Sequence, residues 1–208
     1  MGNRGIIESA GTRTQVYLHW NGGRDSVEAF LKYCDLRGFR GFDDDYGKAR
    51  FCQIVGNFFG GGLSLGVCSG SGSHGDNGVY IVKGWQIVGR KDYSGPEQSE
   101  HDLVAMMKAI NKAQPKDQRL PNIVLTCEPV DTKELKIGDC VYLPDIDDVY
   151  KKYTVVGIGV EGWCNGINTL GIPYVNKYQN YGTYDSNPNN YLTGRVFKAR
   201  KTKQGGVA

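Results

Sequence analysis

Alternating apolar and polar positions predict two β-hairpins in the first half of the chain. In the first hairpin, Arg4–Ser9 and Thr14–Trp20 flank a glycine-containing turn, and the second of these segments is apolar at every other position from Val16. In the second hairpin, Val79–Val82 and Trp85–Val88 are joined by Lys83-Gly84.

Apolar residues at helical spacing predict three helices between and after these hairpins. They recur three and four positions apart after Asp25, from about Tyr46 to Phe59, and after Ser99. Asp25 with Glu28, and Ser99 with Asp102, match the capping-box pattern of a helix N-terminus. The first half is therefore predicted as two strands, two helices, two strands and a helix.

The second half changes character after the polar stretch Pro115–Pro121. Short apolar runs predict strands at Ile123–Thr126, Cys140–Leu143, Tyr153–Val160 and Arg195–Ala199. A small, bent β-barrel commonly buries such strands. We therefore expect an α+β fold with mainly antiparallel strands. Residues 1–114 would form an α+β domain with three helices, and residues 122–208 a β-rich, small-barrel-like domain or an extension of the first sheet.

Composition and spacing argue against several classes of protein. The longest apolar runs are too short to span a bilayer, and the first residues contain no apolar signal segment, so we expect no membrane association. Six cysteines without a C-x-x-C pair favour reduced thiols and a cytoplasmic location. No Cys or His pair has zinc-ligand spacing, and Asp43-Asp44-Asp45 does not fit the calcium-loop pattern. We predict neither a metal site nor a cofactor.

A stretch rich in glycine and serine at residues 66–75 contains the main candidate for covalent chemistry. Residues 66–70 fit G-x-C-x-G, the thiol form of the hydrolase nucleophile elbow, and residues 70–75 fit the G-x-G-x-x-G of dinucleotide-binding loops. Both motifs require a helix afterwards, and the sequence predicts a strand, which favours a flexible loop. Cys68 remains a candidate nucleophile, with His74 or His19 as its candidate base.

The segment Tyr17-Leu18-His19-Trp20-Asn21-Gly22, with a predicted helix after it, is the most distinctive in the chain. It resembles a Y-x-H-W-[DN]-G segment near the start of small uncharacterised proteins of bacteriophages and other mobile elements, and it departs from that pattern at Asn21, where Asp is commoner. The resemblance implies a mobile-element origin and no particular activity. Because neighbouring residues of a strand point to opposite faces, we expect either His19 or Trp20 to pack in the core.

Residues 161–192 combine many tyrosines and asparagines with Trp163, and tyrosine with asparagine and glycine is the composition of recognition loops. We therefore predict a partner-binding surface made of Trp163, Tyr174, Tyr178, Tyr181 and Tyr184. The alternative is an irregular segment packed on the barrel.

The residues from Tyr191 onward carry basic side chains and no acidic ones: Arg195, Lys198, Arg200, Lys201 and Lys203. They form either a frayed terminus or an electrostatic arm for nucleic acid. The net charge of +3 is too low for a dedicated nucleic-acid-binding protein.

These patterns favour a non-enzymatic binding protein of a phage or mobile element that modulates a host or defence factor. Its partner would be a protein bound through the Tyr/Asn-rich surface. One alternative is a cysteine-dependent hydrolase or transferase that uses Cys68 with a histidine base. Another is a weak nucleic-acid-binding protein that uses the basic C-terminus.

Overall fold

The computed structural model describes residues 2–11, 13–61, 64–70, 75–130, 136, 138–144, 150–155, 173–175, 181–183 and 197–198. The chain divides into two compact units, Met1–Leu120 and Pro121–Ala208. Each unit has its own sheet, and helices accompany both, so the protein is an α+β protein, as expected.

A five-stranded sheet forms the centre of the first unit. Its strands are β1 (Gly5–Ser9), β2 (Thr14–Leu18), β3 (Leu65–Ser69), β4 (Val79–Lys83) and β5 (Gln86–Lys91), in the order β3-β2-β1-β4-β5. Both predicted hairpins are confirmed as the antiparallel pairs β1–β2 and β4–β5. The central pair β1–β4 is parallel, which makes the sheet mixed.

β3 was not predicted, because Leu65–Ser69 lies in a run of glycine and serine that carries little strand signal. It pairs antiparallel with β2, from Leu65 opposite Leu18 to Ser69 opposite Thr14. The expectation of a flexible loop is therefore wrong for residues 65–69. Part of the remaining stretch, including residues 71–74, lies outside the described residues.

Three helices contribute most of the apolar core of this unit. They are α1 (Arg24–Leu36), α2 (Asp45–Phe59) and α3 (Leu103–Ala113). α1 contacts both α2 and α3, and the rings of Phe30 and Phe51 meet edge to face at 6.3 Å. Trp85, in the β4–β5 turn, stacks on Phe51 at 6.5 Å and donates its indole N–H to the Phe39 carbonyl oxygen. The aromatic core thereby joins the second hairpin to α2.

The helix starts differ from two of the predictions. α1 begins at Arg24 after Gly23, so Asp25 is inside the helix and its carboxylate makes no capping box with Glu28. α3 begins at Leu103, and its N-cap is Asp102 rather than Ser99, because the Asp102 carboxylate accepts the Ala105 amide at 2.7 Å. In both places the spacing of apolar residues predicted the helix correctly, but the fold determined which side chain accepts the free backbone amides at the helix N-terminus.

The second unit begins with a short helix, α4 (Asn122–Thr126), where the sequence predicted a strand. The predicted strand, Ile123–Thr126, is too short for its periodicity to separate a strand from a helix. The second unit has a five-stranded sheet in the order β10-β6-β7-β8-β9, and every neighbouring pair is antiparallel. Its strands are β6 (Cys140–Pro144), β7 (Tyr150–Val155), β8 (Pro173–Val175), β9 (Tyr181–Thr183) and β10 (Phe197–Lys198). The small barrel stays a prediction, because the longer connections lie outside the described residues.

Candidate functional site

The Tyr17–Trp20 segment places three aromatic side chains side by side at the end of β2. The Tyr17 hydroxyl lies 3.0 Å from His19 Nδ1, and the His19 ring meets the Trp20 ring edge-on with centroids 5.0 Å apart. Tyr17 and His19 are half-buried, whereas Trp20 is 44% exposed. We call Tyr17, His19 and Trp20 the aromatic row. The expectation that His19 or Trp20 packs in the core is wrong, since β2 ends at Leu18 and the alternation of faces ends with it.

The turn after the aromatic row is held in place on both sides. Asn21 has φ 54, a left-handed conformation that asparagine tolerates better than most residues. The Gly22 amide donates to the Asn3 carbonyl oxygen at 2.8 Å, and the Gly22 carbonyl oxygen accepts the buried Tyr80 hydroxyl at 2.9 Å. A Cβ at Gly22 would overlap the backbone at the start of β1. Trp20 therefore stands at the beginning of a rigid turn.

Cys68 lies inside β3, opposite Gln15, and not on a strand-to-helix turn as a nucleophile elbow requires. Its thiol is 3.6 Å from Gln15 Oε1, and Gln15 Nε2 donates to the Glu8 carboxylate at 2.7 Å. Lys91 Nζ lies 3.0 Å from the other Glu8 oxygen. A row of polar contacts thus crosses the sheet from β3 to β5, and the neighbour of the thiol is an amide.

The structure does not place His19 beside Cys68. His19 lies four positions beyond Gln15 along the β2 direction, which at strand spacing separates it from the Cys68 register position by about 13 Å. His74, the other candidate base, lies outside the described residues. Among the other thiols, burial raises the pKa of Cys34 and of Cys52, which disfavours their thiolate forms.

A cluster that the sequence analysis missed brings Asp25, Ser26 and His101 together at the start of α1. Ser26 Oγ is 2.9 Å from His101 Nδ1, and Asp25 Oδ2 is 3.7 Å from the same nitrogen. In a catalytic triad the serine and the carboxylate bind opposite nitrogens of the imidazole. Ser26 is also fully buried. These three residues therefore connect the loop before α3 to the start of α1, and their arrangement differs from that of a catalytic triad. Since 75 residues separate Ser26 from His101, no local signal could have revealed the cluster.

The remaining predicted site residues lie in the second unit. Tyr174 is in β8 and Tyr181 is in β9, while Trp163, Tyr178 and Tyr184 lie outside the described residues.

Of the basic residues near the C-terminus, only Lys198 is described. Its Nζ lies 2.7 Å from Asp139 Oδ2, so the Lys198 charge already faces a carboxylate. Arg195, Arg200, Lys201 and Lys203 lie outside the described residues.

Over the part of the chain that the structure describes, no three His, Cys, Asp or Glu side chains are grouped as a metal site would require. In the same part, no helix has the length and apolar character needed to cross a bilayer. In comparisons with known proteins, no family model, no curated protein and no solved structure matches this sequence.

Proposed function

We propose that this chain is a non-enzymatic binding protein of a phage or other mobile element, and that it contacts a protein partner through Trp20. The exposed indole at the start of a rigid turn is the observation that carries the proposal. Tryptophan is the residue type most enriched among side chains that dominate binding energy. Because the backbone of the turn is already held by hydrogen bonds, less of the chain has to be ordered on binding, so more of the contact energy appears as affinity.

The roles of the reactive side chains support binding over catalysis. The Ser26 hydroxyl is buried and shares one imidazole nitrogen of His101 with Asp25, which differs from an exposed nucleophile beside an oriented base. Among the described residues, the polar neighbour of the Cys68 thiol is the Gln15 amide. The cysteine-dependent alternative would depend on His74. The mobile-element origin rests on the resemblance of the Tyr17–Gly22 segment.

A cytoplasmic location is part of this proposal. Cys34, Cys52, Cys68, Cys127 and Cys140 are free thiols, a state that a reducing compartment maintains. The Tyr/Asn-rich segment over residues 161–192 remains a predicted second contact surface, and nucleic-acid binding by the basic C-terminus remains an alternative.

The proposal is tested by recovering the partner with the full-length protein and measuring what Trp20 contributes. Tagged wild-type protein is used to capture proteins from a lysate of its host, and the captured protein is then purified and titrated. We expect Trp20→Ala to weaken this complex by about thirtyfold, which corresponds to ~2 kcal/mol for an interface hot spot. The melting temperature should fall to some extent, because the indole is only 44% exposed and contacts the His19 ring, so binding is measured at a temperature where both proteins are folded.

Tyr46→Ala is the matched control, because Tyr46 is another exposed aromatic residue of the same unit, 72% exposed on α2. It should bind the partner as tightly as the wild type. The proposal fails if no protein is retained specifically, or if the Trp20 and Tyr46 variants bind equally well.

A further inference from the structure

An open cleft of about 730 Å³ lies in the first unit, where α2 and α3 end. The last two turns of α2 and the glycines after it form one wall, and the segment from Ala113 to Arg119 forms the other. The volume would hold a small molecule, and the cleft is largely open to solvent, so a ligand there would stay partly exposed. This cleft is separate from the aromatic row and uses none of its residues.

The fold gives no packing reason for glycine at position 56, one of the residues that line this cleft. It lies in the interior of α2, where glycine is among the least favourable residues, and a Cβ there would meet no atom within 4 Å. The other glycine of α2 differs, since a Cβ at Gly47 would overlap the Gly41 and Arg40 carbonyl oxygens. Packing among the described residues therefore requires Gly47 but not Gly56. A bare backbone that lines an open cleft is suited to the close approach of another molecule.

Hydrogen bonds of the buried Gln114 side chain fix the polar groups on one side of the cleft. Gln114 is 1% exposed, and its Nε2 donates to the carbonyl oxygens of Ile54 and Ile110 at 3.2 and 3.0 Å. Gln114 Oε1 accepts Asn57 Nδ2 at 2.8 Å. These contacts join the ends of α2 and α3, so the polar groups of Gln114 and Asn57 are already in place before a ligand binds.

The charge of the lining is positive. Lys116 and Arg119 line the cleft, and no carboxylate of the described residues lines it. Arg119 donates to the carbonyl oxygens of Gln114 and Lys112 at 2.9 and 2.6 Å, which offsets the negative end of α3. At the end of α2, the carbonyl oxygens of Gly56 and Asn57 already accept the amides of Gly61 and Gly60.

We propose that this cleft binds a small organic anion of metabolite size. Its carboxylate or phosphate group contacts Lys116 and Arg119, and another part of the molecule lies against the backbone at Gly56. The amide of Asn57, held by Gln114, supplies the neighbouring polar contact.

The full-length protein is titrated with citrate, inorganic pyrophosphate and adenosine monophosphate, and binding is followed by calorimetry and by backbone amide NMR shifts. The three probes separate a carboxylate ligand from a phosphate ligand. At least one probe should bind saturably at one site, with the largest shifts at Gly56, Gly60 and Gly61. Gly56→Ala should weaken that binding by about tenfold. The same change should raise the melting temperature by about 2 °C, because alanine favours the helix.

Lys116→Gln should weaken the same probe about threefold, as expected for loss of an exposed charge, and high salt should weaken it further. Gly66→Ala in β3 and Lys83→Gln at the end of β4 are controls outside the cleft and should bind like the wild type. Three results would overturn the proposal: no saturable binding of any probe, equal affinity of the Gly56 and Lys116 variants with the wild type, or equal weakening by the controls.

Discussion

At the scale of single residues, Asp25 connects two segments that are far apart in the sequence. Its carboxylate accepts the amides of Ser26, Glu100 and His101 at 2.6, 2.8 and 2.9 Å. The side chain is 8% exposed. Burial raises the pKa of this carboxyl group, but the three amide hydrogen bonds outweigh burial, and the pKa lies below its ordinary value. The ionised form of Asp25 therefore stabilises the folded unit.

We expect Asp25→Asn to reduce the free energy of unfolding by about 2 kcal/mol at neutral pH, since it removes the charge that receives three amides. A carboxyl group whose pKa is lowered by folding stabilises above its unfolded-state pKa of about 4, and this contribution is lost as the pH falls through the folded pKa. The difference between the variant and the wild type should thus shrink below about pH 4 in urea unfolding experiments.

Glu28→Gln is the control for this experiment, because Glu28 lies on the same helix and forms an exposed ion pair with Arg24. Such a pair contributes less than about 1 kcal/mol, so this variant should stay close to the wild type. Equal destabilisation by both substitutions would contradict the role given to Asp25.

At the scale of helices and strands, local patterns predicted most of the first unit. The spacing of apolar residues located α1, α2 and α3, and the turn residues located both hairpins, because these features depend on neighbours in the sequence. The parallel contact between β1 and β4 was not predicted, since it depends on where the chain returns after two helices.

The candidate sites divide in the same way. The segment that contains the aromatic row could be singled out from the sequence, because Tyr17, His19 and Trp20 are local neighbours, but the sequence placed His19 or Trp20 in the core. The exposure of Trp20 could not be predicted from the sequence, since it follows from the end of β2 at Leu18 and from the contact between Gly22 and Tyr80. The contact between Ser26 and His101, and the cleft at Gly56, required the packing of α1, α2 and α3.

The start of α3 gives a test at this scale. Asp102 accepts the Ala105 amide, whereas Ser99 lies in the exposed segment before the helix. Asp102→Ala should therefore lower the free energy of unfolding by about 1 kcal/mol, the usual contribution of an N-cap. Ser99→Ala should change it by less than about 0.5 kcal/mol. A larger loss in the Ser99 variant, measured by urea unfolding, would move the helix start back to the position that the capping-box pattern predicted.

At the scale of the whole molecule, the end of the first unit is defined by contacts beyond α3. Asn111 donates to the Leu120 carbonyl oxygen and accepts the Leu120 amide, at 3.0 and 2.8 Å. Asn111 Oδ1 also accepts the Tyr33 hydroxyl at 2.8 Å, and Arg37 donates to the Gln118 carbonyl oxygen. Leu120 is 4% exposed. Residues 115–120 therefore close the contact between α1 and α3.

Two fragments measure how much this closing segment contributes to the unit. The fragment 1–120 should unfold cooperatively in urea with a helical circular dichroism spectrum, because it retains the contacts of Asn111 and Arg37. The fragment 1–114 should be less stable by about 3 kcal/mol or should fail to fold. It exposes the apolar surface that Leu120 covers, worth about 2 kcal/mol. It also removes the Leu120 carbonyl oxygen that accepts Asn111 Nδ2 and the Gln118 carbonyl oxygen that accepts the buried Arg37 side chain. Leu120→Ala in the full-length chain separates this effect from that of a new chain end, and it should reproduce a large part of the loss. Equal stability of the two fragments would place the end of the folding unit at α3.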